Sequence, residues 1–526
     1  MNSHWIVVGL AGLLFLTFGN ASSHAGESVA TAEHGLSYRM PSGNFVRSID
    51  PRRAVSAARP WDSAITPAEL ARIKALPGAA GDNEEIIRKD ALAQPAPAAA
   101  VTTNCVTNGA ADNLAPAGIA GAVGPTNIVV VTNSNIGVYK RSNCALVSRI
   151  TLKILFNNFN FAPTESLLGA RVLYDQLSAR FFVAVVSSDS GNSDQFLYFA
   201  ASTDSNGTTW HRYRRLLSRG TTQKFCKDAP TNAWNFLMLG VNGTRLLVTA
   251  NQTLTAGVFL TLDKAAMLIG GEVKMKCFRG AFPPNFAPPI VLDQTTDAIF
   301  ISTGPGSDNK IAGVKITTDI KPEKDALSAL TNINIPNWTA PPDARQPNGQ
   351  KLDTLDGRFQ SASTQIGNVL WNVHTINVSG FARWRLYKLS ATTDVPLFMF
   401  TPAFGAGAHN FNPSVATGSA IASRPAFVTY SRTIPAKATG TAAIVIASGP
   451  NASSTGWAAT VVERSLSQFV KIGSERCNVS AAGACRWGDY SSTQMLPGST
   501  GKAWGFNELA VGPGDHEWGT RGAQAE

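Results

Sequence analysis

Charged residues are scarce in this chain of 526 residues: Asp, Glu, Lys and Arg make up 15% of it, against about a quarter in typical soluble domains. That shortage argues against helical bundles and for turn-rich β structure, which the plentiful Gly, Ser, Thr and Asn also favour. No nucleophile elbow, P-loop, HExxH or dinucleotide fingerprint occurs, so no chemistry can be read from a local motif. There is no CxxC pair and no His at ligand spacing from a Cys, which removes the usual zinc sites. No motif of a dedicated nucleic-acid site is read in the chain, and a nucleic-acid partner is not expected. Beyond residue 25 no apolar run approaches the ~20 residues of a bilayer span.

What is present begins with an export-type N-terminus. Ile6 to Phe18 is apolar but short for a span, and Ser23-His24-Ala25 offers the small residues a signal peptidase requires. Residues 1–25 are therefore expected to be a signal peptide, with a membrane anchor as the alternative, and the mature protein to be secreted or periplasmic. Six cysteines in an exported chain favour disulfides. Sequence proximity suggests Cys105–Cys144, Cys226–Cys277 and Cys477–Cys485 among the connectivities possible. The net charge is +10. Outside the cytosol such a surface would meet anionic glycans or envelope polymers.

Residues 26–100 read as an extension, partly helical at Thr66–Leu70 and Asn83–Leu92, ending in the linker Gln94–Ala100. From residue 101 to 526 the grammar changes. Strand-length apolar runs such as Arg171–Gln176, Arg180–Val185 and Leu197–Ser202 are separated by Asp, Ser, Gly and Asn. The pattern returns every roughly 40 to 60 residues, the spacing of propeller blades. The expected fold is an all-β, seven-bladed β-propeller whose last sheet is completed by an N-terminal strand; tandem sandwiches are the competing architecture. Only Lys264–Leu268 and Pro322–Leu330 look helical in this part.

Ser202-Thr203-Asp204-Ser205-Asn206-Gly207-Thr208-Thr209-Trp210 looks like an Asp-box with one extra residue, and Ser448–Trp457 is a fainter echo without the Asp. With Arg171–Gln176, Leu352–Arg358, Val373–Thr375, Arg383-Trp384 and Cys485–Ser492, the chain resembles secreted bacterial sialidase-like (BNR-type) propeller proteins, a group largely without assigned activity. The resemblance implies a six-bladed sialidase-like ring as the alternative fold. It also implies a carboxylate clamp, with Arg171, Arg358, Arg383 and Arg486 as candidates, a Tyr490 pair with Glu463 or Glu508, and Asp489 as acid. The Arg-Ile-Pro signature of sialidases is missing; Tyr38-Arg39-Met40-Pro41 is a poor stand-in.

Read by their own chemistry, Arg486-Trp487-Gly488-Asp489-Tyr490 would bring a cation, a carboxylate and a phenol to the mouth of a central funnel, with Trp487 and His409 among the substrate-binding candidates. The alternative is a structural Arg486–Asp489 pair with the two aromatics in the core. His374 and His409 beside Tyr490 and an Arg would suit β-elimination from a uronic acid. No cofactor is required, although Ser187, Asp189 and Asp194 could hold Ca2+. The first expectation is an anionic glycan bound in the central funnel. The second is a glycosidase or polysaccharide lyase, and the third a protein-binding propeller. A monomer is assumed, since no feature fixes the oligomeric state.

Overall fold

The computed structural model describes residues 28–30, 38–39, 100–107, 116–189, 194–219, 223–224, 234–253, 256–279, 283–439, 441–468, 483–512 and 517–526. The expected helices at Thr66–Leu70 and Asn83–Leu92 lie outside them. So do the first 25 residues and the linker before Ala100.

The chain is a β-propeller with almost no helix. Five separate sheets of four to six strands follow one another around an axis, and a sixth, ten-stranded sheet contains two further meanders. Their inner and middle strands are buried on both faces because each sheet has a neighbour on either side, while outer strands such as Leu146–Thr151 and Val101–Val106 keep exposed residues. Asn127–Val131 and His409–Thr417 have no exposed residue. Such strands therefore read as continuous apolar runs. The core is a set of layers between successive sheets: Val129, Val138, Val172 and Val183 fill one, and Phe199, Leu217, Leu246 and Val248 the next.

The ring closes as the sequence suggests. Val101–Val106 pairs antiparallel with Trp518–Ala525, aligning Cys105 with Gly522. Beyond it, the Glu526 backbone N–H donates to Ala100 O at 3.1 Å. A disulfide then joins Cys105 to Cys144 in the first sheet. The inner strand of that sheet lies against the last one so closely that a Cβ on Gly121 would meet the Phe506 ring at 2.2 Å. Cys277 and Cys485 are also disulfide-bonded. Cys226 and Cys477, assigned to them by proximity, lie outside the described residues.

At the axis, Pro289–Val291 pairs in parallel with Asn235–Val241 on one side and Ser363–Ile366 on the other. Direct pairing of inner strands leaves little room at the centre. Ser28–Ala30 and Tyr38–Arg39, from the extension, add to the outer strands of two sheets.

One expected helix forms and one does not. Asp263 caps Lys264–Leu268 by accepting from Ala266 N. Pro322–Leu330 yields only a 3-10 turn, Pro322–Lys324, followed by the strand Ala326–Leu327. The reason is Asp325, which leaves the turn to bind Arg245 through two hydrogen bonds of 2.8 and 2.9 Å in a fully buried pair. Replacing Cys105 and Cys144 together by Ala is expected to lower stability by about 2–4 kcal/mol. Urea midpoints of parent and variant under oxidising conditions would measure it.

Candidate functional site

The N-terminal ends of the inner strands define one face of the ring, and most of the expected site residues collect there. The axial cavity beneath has a volume of about 50 Å³ and is lined by Arg171, Gln360, Ser414 and Tyr490, among others. That holds about three or four waters. A sugar ring does not fit, so the expected central funnel is a narrow channel, and a large ligand would have to lie on the face above it.

The segment before the inner strand Ser492–Met495 is braced from several sides. Arg486 Nη2 donates to Asp489 at 2.9 Å, and its Nε lies 3.8 Å from Asp353. Trp487 Nε1 donates to Ser431 Oγ at 3.1 Å, and Asn412 donates to Gly488 O. The Arg171 guanidinium stacks on the Tyr490 ring, 3.4 Å from its centroid. Phe236 lies 5.5 Å from the same ring and carries Arg358 on its other contact, at 4.3 Å. Arg358 is tied to Asp356 at 2.7 Å and to Asn285 at 3.3 Å. Arg486, Asp489, Tyr490 and Arg171 therefore do converge. They are also buried and mutually occupied; only Arg486 keeps appreciable exposure, at 17% of its side chain.

Glu508 lies directly behind this segment, 1% exposed, with neither carboxyl oxygen hydrogen-bonded. Gly488 is the residue that makes room: a Cβ there would sit 2.3 Å from Glu508 Oε1. Burial raises the Glu508 pKa well above the carboxylate range and the charge of Asp489 pushes it further, while the nearby backbone N–H groups of Glu508 and Gly488 offset part of this without closing a hydrogen bond. Glu463, the other candidate partner for Tyr490, is elsewhere. It sits on the outer strand Ala458–Arg464 and pairs with Arg521.

The two histidines do not meet Tyr490. His374 Nδ1–H donates to Gly357 O at 2.6 Å, and Nε2 accepts from the Tyr387 hydroxyl at 2.9 Å. Burial, helped by the Arg385 charge and opposed by the Gly357 contact, pushes it down to about 3. His409 Nδ1 accepts from Ala382 N at 3.2 Å. It is pushed down to about 4 by burial and then by Arg383 and Arg345.

Arg383 and His409 instead mark a second cluster on the same face. Arg383 donates to the carbonyls of Phe404 and Gly405 at 2.9 and 3.2 Å. Arg432 donates to Asn410 Oδ1 at 2.8 Å and to the Tyr430 hydroxyl at 2.6 Å. Arg385 binds Thr401 Oγ1 at 3.0 Å and leaves Nη1 unpartnered. Among the described residues none of these three arginines has a carboxylate partner. Burial, and secondly Arg432, lowers the Arg383 pKa to about 10. Arg345 stands exposed nearby, and Phe381 and Phe404 are half-buried at the edge.

Sequence reasoning missed Arg432, Arg385, Gln360 and the acidic partners of the first cluster. Asp353 and Asp356 were within reach, since both lie in the Leu352–Arg358 stretch. In the Ser202–Trp210 hairpin, Asp204 Oδ1 accepts from Asn206 N at 2.9 Å, and Trp210 is fully buried. Ser187 Oγ, a candidate Ca2+ ligand, accepts from Phe196 N at 3.1 Å. The Asp189 side chain and residues 190–193 lie outside the described set. Among the described residues no three His, Cys, Asp or Glu side chains are grouped to hold a metal, and no helix is long and apolar enough to cross a membrane.

No protein-family model and no curated protein matches the chain. Solved structures with similar traces include the α-L-arabinofuranosidase Arb93A from Fusarium graminearum, 10% identical over 82% of this chain and 98% of that one, TM-score 0.31. The N10 neuraminidase-like protein of A/little yellow-shouldered bat/Guatemala/060/2010 is 9% identical over 81% and 99%, TM-score 0.30. An endo-arabinanase from Bacillus licheniformis is 9% identical over 62% and 91%, TM-score 0.29. At these values the likenesses carry nothing about activity, and the fold assignment rests on the strand order.

The buried titratable groups set the pH dependence of stability. His374 and His409 titrate below the unfolded value of about 6.5, so the unfolded chain binds protons that the folded chain refuses. Stability should fall as pH drops from about 6.5 toward 4. Glu508 acts oppositely: the folded chain keeps a proton the unfolded chain releases, so stability erodes as pH rises above about 4.5. Urea midpoints across pH 4 to 8 should show both trends, and Glu508→Gln should flatten the upper one while raising the midpoint at pH 8.

Proposed function

We propose that the chain is an exported propeller that binds an anionic glycan on the face formed by the N-terminal ends of its inner strands, with Arg383, Arg432 and His409 at the contact. One observation carries this: two guanidiniums, on Arg383 and Arg432, lie near enough to repel each other on that face, and among the described residues neither has a carboxylate partner. A planar guanidinium is suited to carboxylate or sulfate by charge-assisted, often paired hydrogen bonds. A cluster that is short of negative charge has reason to recruit it. Phe381 and Phe404 at the edge supply ring faces for the apolar side of a sugar. The glycan class follows from the export-type N-terminus and the sequence pI of 9.4, which would draw the protein to acidic extracellular polymers.

The blade count in this reading is seven, with Pro289–Val291 innermost in the fourth and Val101–Val106 outermost in the last. The Ser202–Trp210 hairpin is read as an Asp-box, its Asp204 contact with Asn206 N supporting a relation to sialidase-like propellers. A second reading, a glycosidase or lyase, draws on Glu508 and Asp489. Two neighbouring carboxyl groups in different environments are how acid and base roles are separated. Their burial stands against it.

Binding of polygalacturonate, measured calorimetrically with neutral dextran as control, tests the first reading. Arg383→Gln and Arg432→Gln should each weaken it about 10- to 100-fold, the worth of one charge-assisted hydrogen bond. Equal binding of both polymers, or unchanged affinity in both variants, would remove it. The enzymatic reading is tested by release of reducing or unsaturated ends from the same polymer. Turnover that survives both Glu508→Gln and Asp489→Asn excludes that pair.

A further inference from the structure

The axial cavity holds a feature that glycan binding does not use. Arg171 is 8% exposed, its Nη1 donates to its neighbour Ala170 O at 2.8 Å, and its Nη2 has no partner. Gln360, 3% exposed and lining the same cavity, has neither its amide nitrogen nor its amide oxygen bonded. The hydroxyls around them are already engaged with each other, Ser414 with Ser491 at 2.9 Å and with Thr493 at 2.8 Å. The unspent donors are thus a guanidinium and an amide.

Arg171 owes its aim to an irregularity. Pairing with the adjacent strand shifts register between Leu168 and Arg171, and Gly169 sits at φ +64°. A bulge with glycine in the left-handed region is a device for redirecting a side chain. Here it sends the guanidinium inward onto Tyr490. The ring face offsets part of the cost of burying that charge. It supplies no countercharge, and among the described residues no carboxylate pairs with Arg171. A buried, permanently charged group without a counterion is strongly disfavoured.

We propose that the axial cavity is a binding site for a small monatomic anion, of the halide class, held between Arg171 Nη2 and the Gln360 amide nitrogen. The volume of about 50 Å³ admits one such ion with a water or two and excludes a sugar acid. Bound at the meeting point of the inner strands, the ion stabilises the closed ring. This site is separate from the Arg383 cluster, so its loss would leave glycan binding untouched, and the reverse.

The test compares thermal unfolding of the full protein in sodium chloride and in sodium gluconate at matched ionic strength, with crystals soaked in sodium bromide. Chloride should raise Tm by about 2 °C or more, and an anomalous bromide peak should lie beside Arg171 and Gln360. Gln360→Glu places a carboxylate where the ion sits and should abolish both signals. Arg171→Met should abolish them as well, which keeps the test decisive if one variant fails to fold. Equal Tm in the two salts with only water in the axial density would overturn the proposal, as would a bromide peak confined to the outer face.

Discussion

Each sheet in this ring is covered on both faces by its neighbours, so a strand such as Asn127–Val131 has no solvent side on which to carry charge. That constraint accounts for the low charged content and for the continuous apolar runs. It also governs every polar side chain that remains inside. A buried group in such a layer must find a partner within the ring, and most do. Asp325 takes Arg245 by a two-point contact, Lys264 reaches Asp175 at 2.9 Å, and His374 spends both ring nitrogens. Of the buried polar atoms without a hydrogen bond, those of Arg171 and Gln360 line the axial cavity, and Glu508 keeps both carboxyl oxygens unbonded behind the segment at its mouth. Function is sought there for that reason.

The two arginine clusters differ in their electrostatics. Around Arg486 and Arg358, the acids Asp353, Asp356 and Asp489 balance the guanidiniums, and the result is a brace that fixes the leads into the inner strands. Around Arg383 and Arg432 the partners are carbonyls, an amide and a phenol, which orient the guanidiniums without neutralising them. Positioned but uncompensated cations suit recognition of an anion that comes from outside. The first cluster holds the face in shape; the second gives it a sign.

Much of the architecture was legible because its causes are local. Period and turn residues located the strands, and Cys105 and Cys144 were near enough in sequence to be paired. Arg486 and Asp489 are three residues apart, so their contact was an obvious alternative to catalysis. What could not be read depends on the ring. Arg171 meets Tyr490 only because the ring brings the inner strand of the second sheet and the lead into that of the last sheet to one axis, and no spacing encodes that. Arg432 is a lone cation at a strand end, and Gln360 an ordinary amide before a strand; each gains meaning only from what it faces. The helix expected over Pro322–Leu330 failed for a similar reason, since Asp325 is drawn off by an arginine on another sheet. Width at the axis was also invisible, because parallel pairing of Pro289–Val291 with both neighbours is a tertiary event.

The strand that completes the last sheet is made among the first of the ring, and its partner Trp518–Ala525 more than 400 residues later. During synthesis and any export, Val101–Val106 must wait with an open edge until the far end arrives, a contact of very high sequence separation and slow to form. The Cys105–Cys144 bond spans only 39 residues and lies wholly within the early part. An oxidising compartment could therefore moor the waiting strand to the first sheet at once. Assembly would then proceed from a tethered start toward a seam that is already in place when the final hairpin docks.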